Sequence, residues 1–150
     1  MSNARFFHPS SIMPISHAVR AGDFVFTATL GPHFFELENV TYDADGRVID
    51  DGSGKGDLSI EEQTHATFGN VSAALANAGC SLADVIDMTV WLCDPRDFAP
   101  FNRIYAGYFT TNQPTRTVLG TTFMFKCRIE MKALAYKAAA GQRHMKGGGE

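Results

Sequence analysis

Cysteine is scarce in this chain: Cys80, Cys93 and Cys127 are the only three among 150 residues. They are odd in number and far apart, with no CxxC or Cys/His ligand spacing. They read as reduced thiols packed like small hydrophobes, and no zinc site is expected. No apolar run approaches the ~20 residues that a membrane span needs. The N-terminal MSNARFFHPSS lacks the apolar segment of a signal peptide, so a cytoplasmic location is the default. Concentrated positive charge is missing as well. The net charge is −3 and the basic residues are scattered, which argues against a nucleic-acid surface. His8, His17, His33, His65 and His144 show no mutual spacing for a triad or a metal site.

What remains is an ordinary globular composition, 45% hydrophobic, in a chain long enough for one full core. Residues 1–140 read as a single domain. The segment 141–150, GQRHMKGGGE, has no periodicity and is expected to be a disordered tail. Asp23–Thr29 is aromatic and β-branched and predicts a strand, with SHAVRAG as a short partner. Pro9, Pro14 and Ser16 make the preceding segment loop-like. Asp45-Gly46 between two strand-like runs predicts a hairpin. DGSGKGD, after it, reads as a plain polar surface loop; its spacing fits neither a P-loop nor an EF-hand.

Ser59 and Glu62 form a capping box that opens a helix. Thr64, Phe68, Val71, Leu75 and Ala78 recur on one face of it, and Gly79 ends it. Val85–Asp94 reads as a strand with Ile86, Met88, Val90 and Leu92 on one face and Asp87, Thr89, Trp91 and Cys93 on the other. Asp97 is placed as the cap of a second helix, with Pro100 tolerated in its first turn. Phe98, Phe101, Tyr105, Tyr108 and Phe109 form its buried stripe. TRTVLGTTFMF and a last strand follow. In that last strand Cys127, Ile129, Met131, Ala133 and Ala135 alternate with Arg128, Glu130, Lys132, Leu134 and Tyr136. The order predicts an α+β layer pair, a mixed sheet with two helices on one face. Trp91, Val25 and the Arg128–Tyr136 face are too apolar in aggregate to be left in water. A symmetric homo-oligomer that buries them is expected.

The segments SHAVRAGDFVFTA, IEEQTHATFGNVSAALANAG, ADVIDMTVWLCDPRDFAPFNRIYAGYF, PTRT and RIEMKALA, in this order and spacing, resemble the RidA (YjgF-like) family of reactive-intermediate deaminases. The match runs from about Ile15 to Ala138. The resemblance implies a chorismate-mutase-like fold, a homotrimeric barrel and active sites in the clefts between subunits. It implies hydrolysis of enamines and imines of 2-amino acids to 2-keto acids and ammonia, with no cofactor or metal. Residue by residue, the family's substrate arginine falls on Arg116, its acidic residue on Glu130 and its helix asparagine on Asn102. Its T-S-G-Q loop reads TATL here, with Ala28 and Thr29 in place of Ser and Gly. That puts Thr29 at the substrate. Ile15 replaces an aromatic residue and Val118 a frequent cysteine. The segment from Pro32 to about Asp57 is longer than usual.

By itself Arg116 reads as a salt-bridge residue, but its planar fork matches a carboxylate bidentately. Glu130 by itself reads as a partner of Lys132 or Arg128; in the family's position it activates water and returns the proton to the departing amine. An iminium carbon is electrophilic enough to need no metal. Asn102 reads equally well as a structural amide. His17, near the expected cleft, reads as a bystander. The alternatives are a 2-aminomuconate-type deaminase and a non-catalytic module that binds a small carboxylate. An RNA-acting protein comes last.

Overall fold

Two helices lie on one face of a six-stranded mixed sheet in this computed structural model, which describes residues 3–7, 13–33 and 40–140. The strands are β1 (Ala4–Phe7), β2 (Ala18–Ala21), β3 (Phe24–Thr27), β4 (Thr41–Tyr42), β5 (Val48–Asp50), β6 (Val85–Leu92), β7 (Thr115–Gly120) and β8 (Ile129–Tyr136). The helices are α1 (Ile60–Asn77) and α2 (Phe98–Tyr108). The main sheet runs β1-β2-β3-β8-β6-β7, while β4 and β5 form a separate hairpin around Gly46. Only the β6–β7 pair is parallel. A parallel pair needs a crossover, and α2 is that crossover. The tail at 141–150 lies outside the described residues.

α1 forms as its sequence specifies. Ser59 Oγ accepts from the Glu62 amide, and the Glu62 carboxylate accepts from the Ser59 amide at 2.9 Å. Gly79 (φ 81°) closes the other end: its N–H donates to the Ala76 carbonyl, and the Cys80 N–H donates to the Leu75 carbonyl. That is a Schellman closure, in which the left-handed residue has no Cβ to clash. Phe68, Val71 and Leu75 are fully buried against β8 and β3. β8 alternates as expected, with Ile129, Met131, Ala133 and Ala135 inward.

Several expectations are corrected. β1 is an addition to the expected elements, formed by pairing with β2 across the proline-containing segment. A register shift between Val85 and Asp87 puts Val85 in the core and leaves Ile86 43% exposed, because a bulge breaks strict alternation. Asp97 does not cap α2 through its side chain. Asp94 instead accepts from the Arg96 amide in the preceding 3-10 turn, and Asp97 is buried in an ion pair with Arg128 at 2.6 Å. Phe98 and Tyr108 are substantially exposed, and the buried stripe of α2 is Phe101, Tyr105 and Phe109. β7 ends at Gly120. Val25 is fully buried under the helices, since it pairs with the inward Ala135. The apolar outer face is made instead by Phe6, Phe24, Phe26, Leu119 and Tyr136, each 42–58% exposed, with Trp91 and Leu134 partly covered. Cys93 is exposed, unlike the buried Cys80 and Cys127.

DGSGKGD is no plain surface loop. Asp51 is buried, and Gly56 sits so close to the Lys126 carbonyl that a Cβ would lie 2.2 Å from it. Gln63, fully buried on α1, donates to the Gly56 and Leu58 carbonyls at 3.2 and 2.9 Å and accepts from the Arg128 amide at 2.8 Å. One amide side chain therefore fastens both this loop and the start of β8.

Candidate active site

Arg116 and Glu130 are held on opposite faces of the same sheet. Arg116 pairs with Met88 and Glu130 with Trp91, so they are three residues apart along β6 and lie on either side of it. Two strand spacings of about 4.8 Å and three residues of about 3.3 Å rise separate their backbones.

Arg116 points toward α2. Its Nη1 donates to Asn102 Oδ1 at 2.8 Å. Its guanidinium lies 4.6 Å from the centroid of Tyr105 and 5.7 Å from that of Phe101. Among the described residues it is in no ion pair, so the salt-bridge reading of Arg116 is not realised. Asn102 acts as an acceptor that orients the fork. Tyr105 is pushed up to about 12, first by burial and against the pull of Arg116, so it stays a neutral phenol under the cation. Beside this group Leu92, Pro95, Phe98 and Val118 line an apolar cavity of about 370 Å³. The Val118 substitution makes that wall aliphatic.

Glu130 points the other way, into a cavity of about 340 Å³ shared with Thr29, Trp91, Phe123 and Phe125. Arg128 is taken by Asp97, and no ion pair joins Glu130 to Lys132 or Arg128 among the described residues. Burial alone pushes the Glu130 carboxyl up to about 6, which makes its ionised form a stronger base than an exposed carboxylate. Leu30 and Met131 exchange backbone hydrogen bonds at 2.8 Å, which docks the Thr29 loop on β8 beside Glu130. Asn70 of α1 donates to the Gly31 and Pro32 carbonyls at 2.8 and 3.2 Å and clamps the same loop from the other side. His17 is fully buried, and desolvation lowers it to about 4, so it is a neutral core imidazole.

The predicted residues thus fall into two pairs: Arg116 with Asn102, and Glu130 with Thr29. One chain does not join the two pairs. Residue-by-residue reading missed Tyr105, placed only in a core stripe, and Gln63, placed nowhere. It also missed the grouping of Cys127, three residues before Glu130, with His33 from a distant loop, and Asp51 behind His33.

The family model described as Endoribonuclease L-PSP matches residues 7–137. A RutC family protein of Pyrococcus abyssi is 38% identical over 130 residues, covering 86% of this chain and 91% of that protein. TdcF of Escherichia coli, named a candidate reactive intermediate deaminase, is 28% identical over 135 residues, covering 87% and 92%. The crystal structure of TdcF with bound serine has a TM-score of 0.68 over 87% of this chain and 93% of that one, at 26% identity. Yeast Mmf1, a mitochondrial protein, has a TM-score of 0.66 at 27% identity over 88% and 93%. No helix among the described residues is long and apolar enough to cross a membrane. With the fold, the segment order and these matches in agreement, the chain belongs to the YjgF/RidA family, whose model carries the description Endoribonuclease L-PSP.

Proposed function

We propose that this protein hydrolyses 2-imino and 2-enamino acids to 2-keto acids and ammonia, as a homotrimer whose sites join Arg116 of one subunit to Glu130 of the next. The observation that carries the reading is the split itself. A carboxylate-binding fork and a half-buried base stand on opposite faces of one sheet, and the outer face carries exposed Phe24, Phe26 and Leu119 that a second copy would cover. The bound serine of TdcF is a small amino acid of the kind Arg116 would hold by its carboxylate.

In this reading Asn102 fixes one edge of the Arg116 fork and Tyr105 backs it, so the substrate carboxylate is met by a preoriented donor pair. The cavity at Leu92 and Val118 accepts a small apolar side chain. An enamine first gains a proton at its β-carbon to become the iminium. Glu130 takes a proton from water as the water oxygen bonds to the iminium carbon. The same carboxyl then returns the proton to nitrogen; as the C–N bond breaks, the hydroxyl formed from water gives its proton back to Glu130 and becomes the keto oxygen, and ammonia leaves with a 2-keto acid. The net change is one water consumed per ammonia released.

A carboxylate-binding module is the second reading, favoured by the bound serine in TdcF. RNA cleavage fits poorly with a net charge of −3 and scattered cations. The experiment is subunit mixing. Arg116→Ala and Glu130→Gln are purified separately, mixed under conditions that exchange subunits, and assayed for ammonia from an imine generated in situ. Each alone should be nearly inactive. A random equal mixture should recover roughly a quarter of parent activity, because about one boundary in four then carries both native residues. No recovery after demonstrated exchange rejects the shared site. A parent protein that releases no ammonia above the uncatalysed rate favours the binding module.

A further inference from the structure

The cavity wall behind Glu130 contains two groups that the proposed reaction does not use, His33 and Cys127. His33, Cys127 and Glu130 bring a ring nitrogen, a thiol sulfur and a carboxylate oxygen within 4.8 Å of one another. His33 ends the Thr29 loop, Cys127 precedes β8 and Glu130 lies within it. His33 is 2% and Cys127 8% exposed. Gly31 keeps them close: a Cβ there would stand 3.3 Å from His33 Cε1 and 3.5 Å from Glu130 Cγ.

A fourth residue organises the cluster. Asp51, buried in the long segment before α1, places Oδ2 3.5 Å from His33 Nδ1. Its other oxygen accepts from the Ser53 amide at 2.9 Å and the Ser53 hydroxyl at 2.6 Å, so the carboxylate cannot turn away. The two atoms stand at ion-pair distance and not in a hydrogen bond; a carboxylate beside a ring nitrogen is the kind of neighbour that positions histidine metal ligands.

We propose that His33, Cys127 and Glu130 form a binding site for a divalent transition cation of the zinc type, with Asp51 as the positioning residue for His33. The mixed N, S and O donor set selects this class over calcium or magnesium, which take oxygen ligands. Tetrahedral ligands at about 2.0–2.3 Å from an ion are roughly 3.3–3.8 Å apart. The cluster therefore closes by about 1 Å, and Glu130, the least buried of the three, has the room to move. On binding, the Cys127 S–H bond breaks, sulfur bonds the metal and one proton leaves to solvent. The fourth coordination position faces the Glu130 cavity. The ion shares one carboxylate with the proposed hydrolysis, and on that reading it blocks water activation.

The test is direct binding to the full chain without substrate, so its failure is separate from any failure of the deaminase reading. Zinc in equilibrium dialysis under reducing conditions should bind at one ion per chain. Cobalt(II) should give thiolate-to-metal charge-transfer absorption. Cys127→Ser and His33→Gln should each abolish that absorption and weaken zinc binding at least tenfold. Asp51→Asn should weaken it roughly 10- to 100-fold. Circular dichroism melts confirm that each variant folds; for any that does not, competition of zinc with cobalt on the parent protein supplies the affinity. No charge-transfer absorption in the parent overturns the site. So does absorption that survives in folded Cys127→Ser, which would assign the thiolate to exposed Cys93.

Discussion

The Arg116 side of the sheet and the Glu130 side are built by different means. Arg116, Asn102 and Tyr105 all belong to one β–α–β unit, β6 to β7, and the hydrogen bond between Arg116 and Asn102 spans only 14 positions of chain. Their geometry follows from the short crossover that makes β6 and β7 parallel. Glu130 is instead enclosed by the Thr29–His33 loop, Trp91, residues 121–125 and Cys127, with Asp51 behind His33. Its surroundings depend on backbone docking at Leu30–Met131 and on one buried amide, Gln63. A locally built group tolerates change elsewhere in the fold; a group assembled from remote pieces is sensitive to each of them.

The largest expected effect tests the Glu130 side directly. Glu130→Gln should retain ligand binding and lose roughly 100- to 10,000-fold in turnover, because the amide can hold water but cannot take its proton. Steady-state ammonia release and calorimetric binding of an unreactive amino acid separate the two; parent-rate turnover would make Glu130 structural. On the other side, Arg116→Ala should cost on the order of 2–5 kcal/mol of carboxylate binding with the melt unchanged. Arg116→Lys should also bind poorly, since an ammonium cannot present the fork. Unchanged affinity in either variant removes Arg116 from the site.

The next pair probes how each side is supported. Gln63→Leu leaves partly buried backbone groups of the Gly56 loop and Arg128 without this partner, and should lower stability by roughly 1–3 kcal/mol. It should also reduce turnover while leaving carboxylate affinity intact, if the two sides are independent. A parallel loss of affinity would show that they are coupled through β6. The smallest change is expected from Asn102→Ala, about 1 kcal/mol of ligand affinity from a freed guanidinium. Calorimetry showing no change would mean that Tyr105 alone orients Arg116.

Much of the Arg116 side was legible in the chain. PTRT, the asparagine four residues after Phe98 and the alternation of Ile129–Tyr136 identify positions without knowledge of contacts. The failures have one form. Asp97 has a good capping residue's chemistry, yet its carboxylate is drawn to Arg128, just before β8, a stronger charge-assisted partner than an amide at the end of its own helix. Ile86 breaks alternation because β6 must bulge to keep register with β8. DGSGKGD looked wholly solvated because Gly, Ser and Asp usually are, but Asp51 is buried, Gln63 donates to the Gly56 carbonyl, and the missing Cβ of Gly56 lets it approach Lys126.

The sequence by itself determined what depends on neighbours in the chain: the capped ends of α1, the hairpin at Gly46, the two-residue period of β8 and the family motifs around Arg116 and Glu130. These follow from backbone dihedrals and side-chain period, which act over a few residues. Only the tertiary structure decided that Arg116 and Glu130 face opposite ways, because facing depends on which strands become neighbours and in what register. It alone brought His33, Asp51 and Cys127 to Glu130. No spacing rule could list them together, since the chain closes that loop through Leu30–Met131 pairing and the buried Gln63 amide, interactions between segments tens of residues apart.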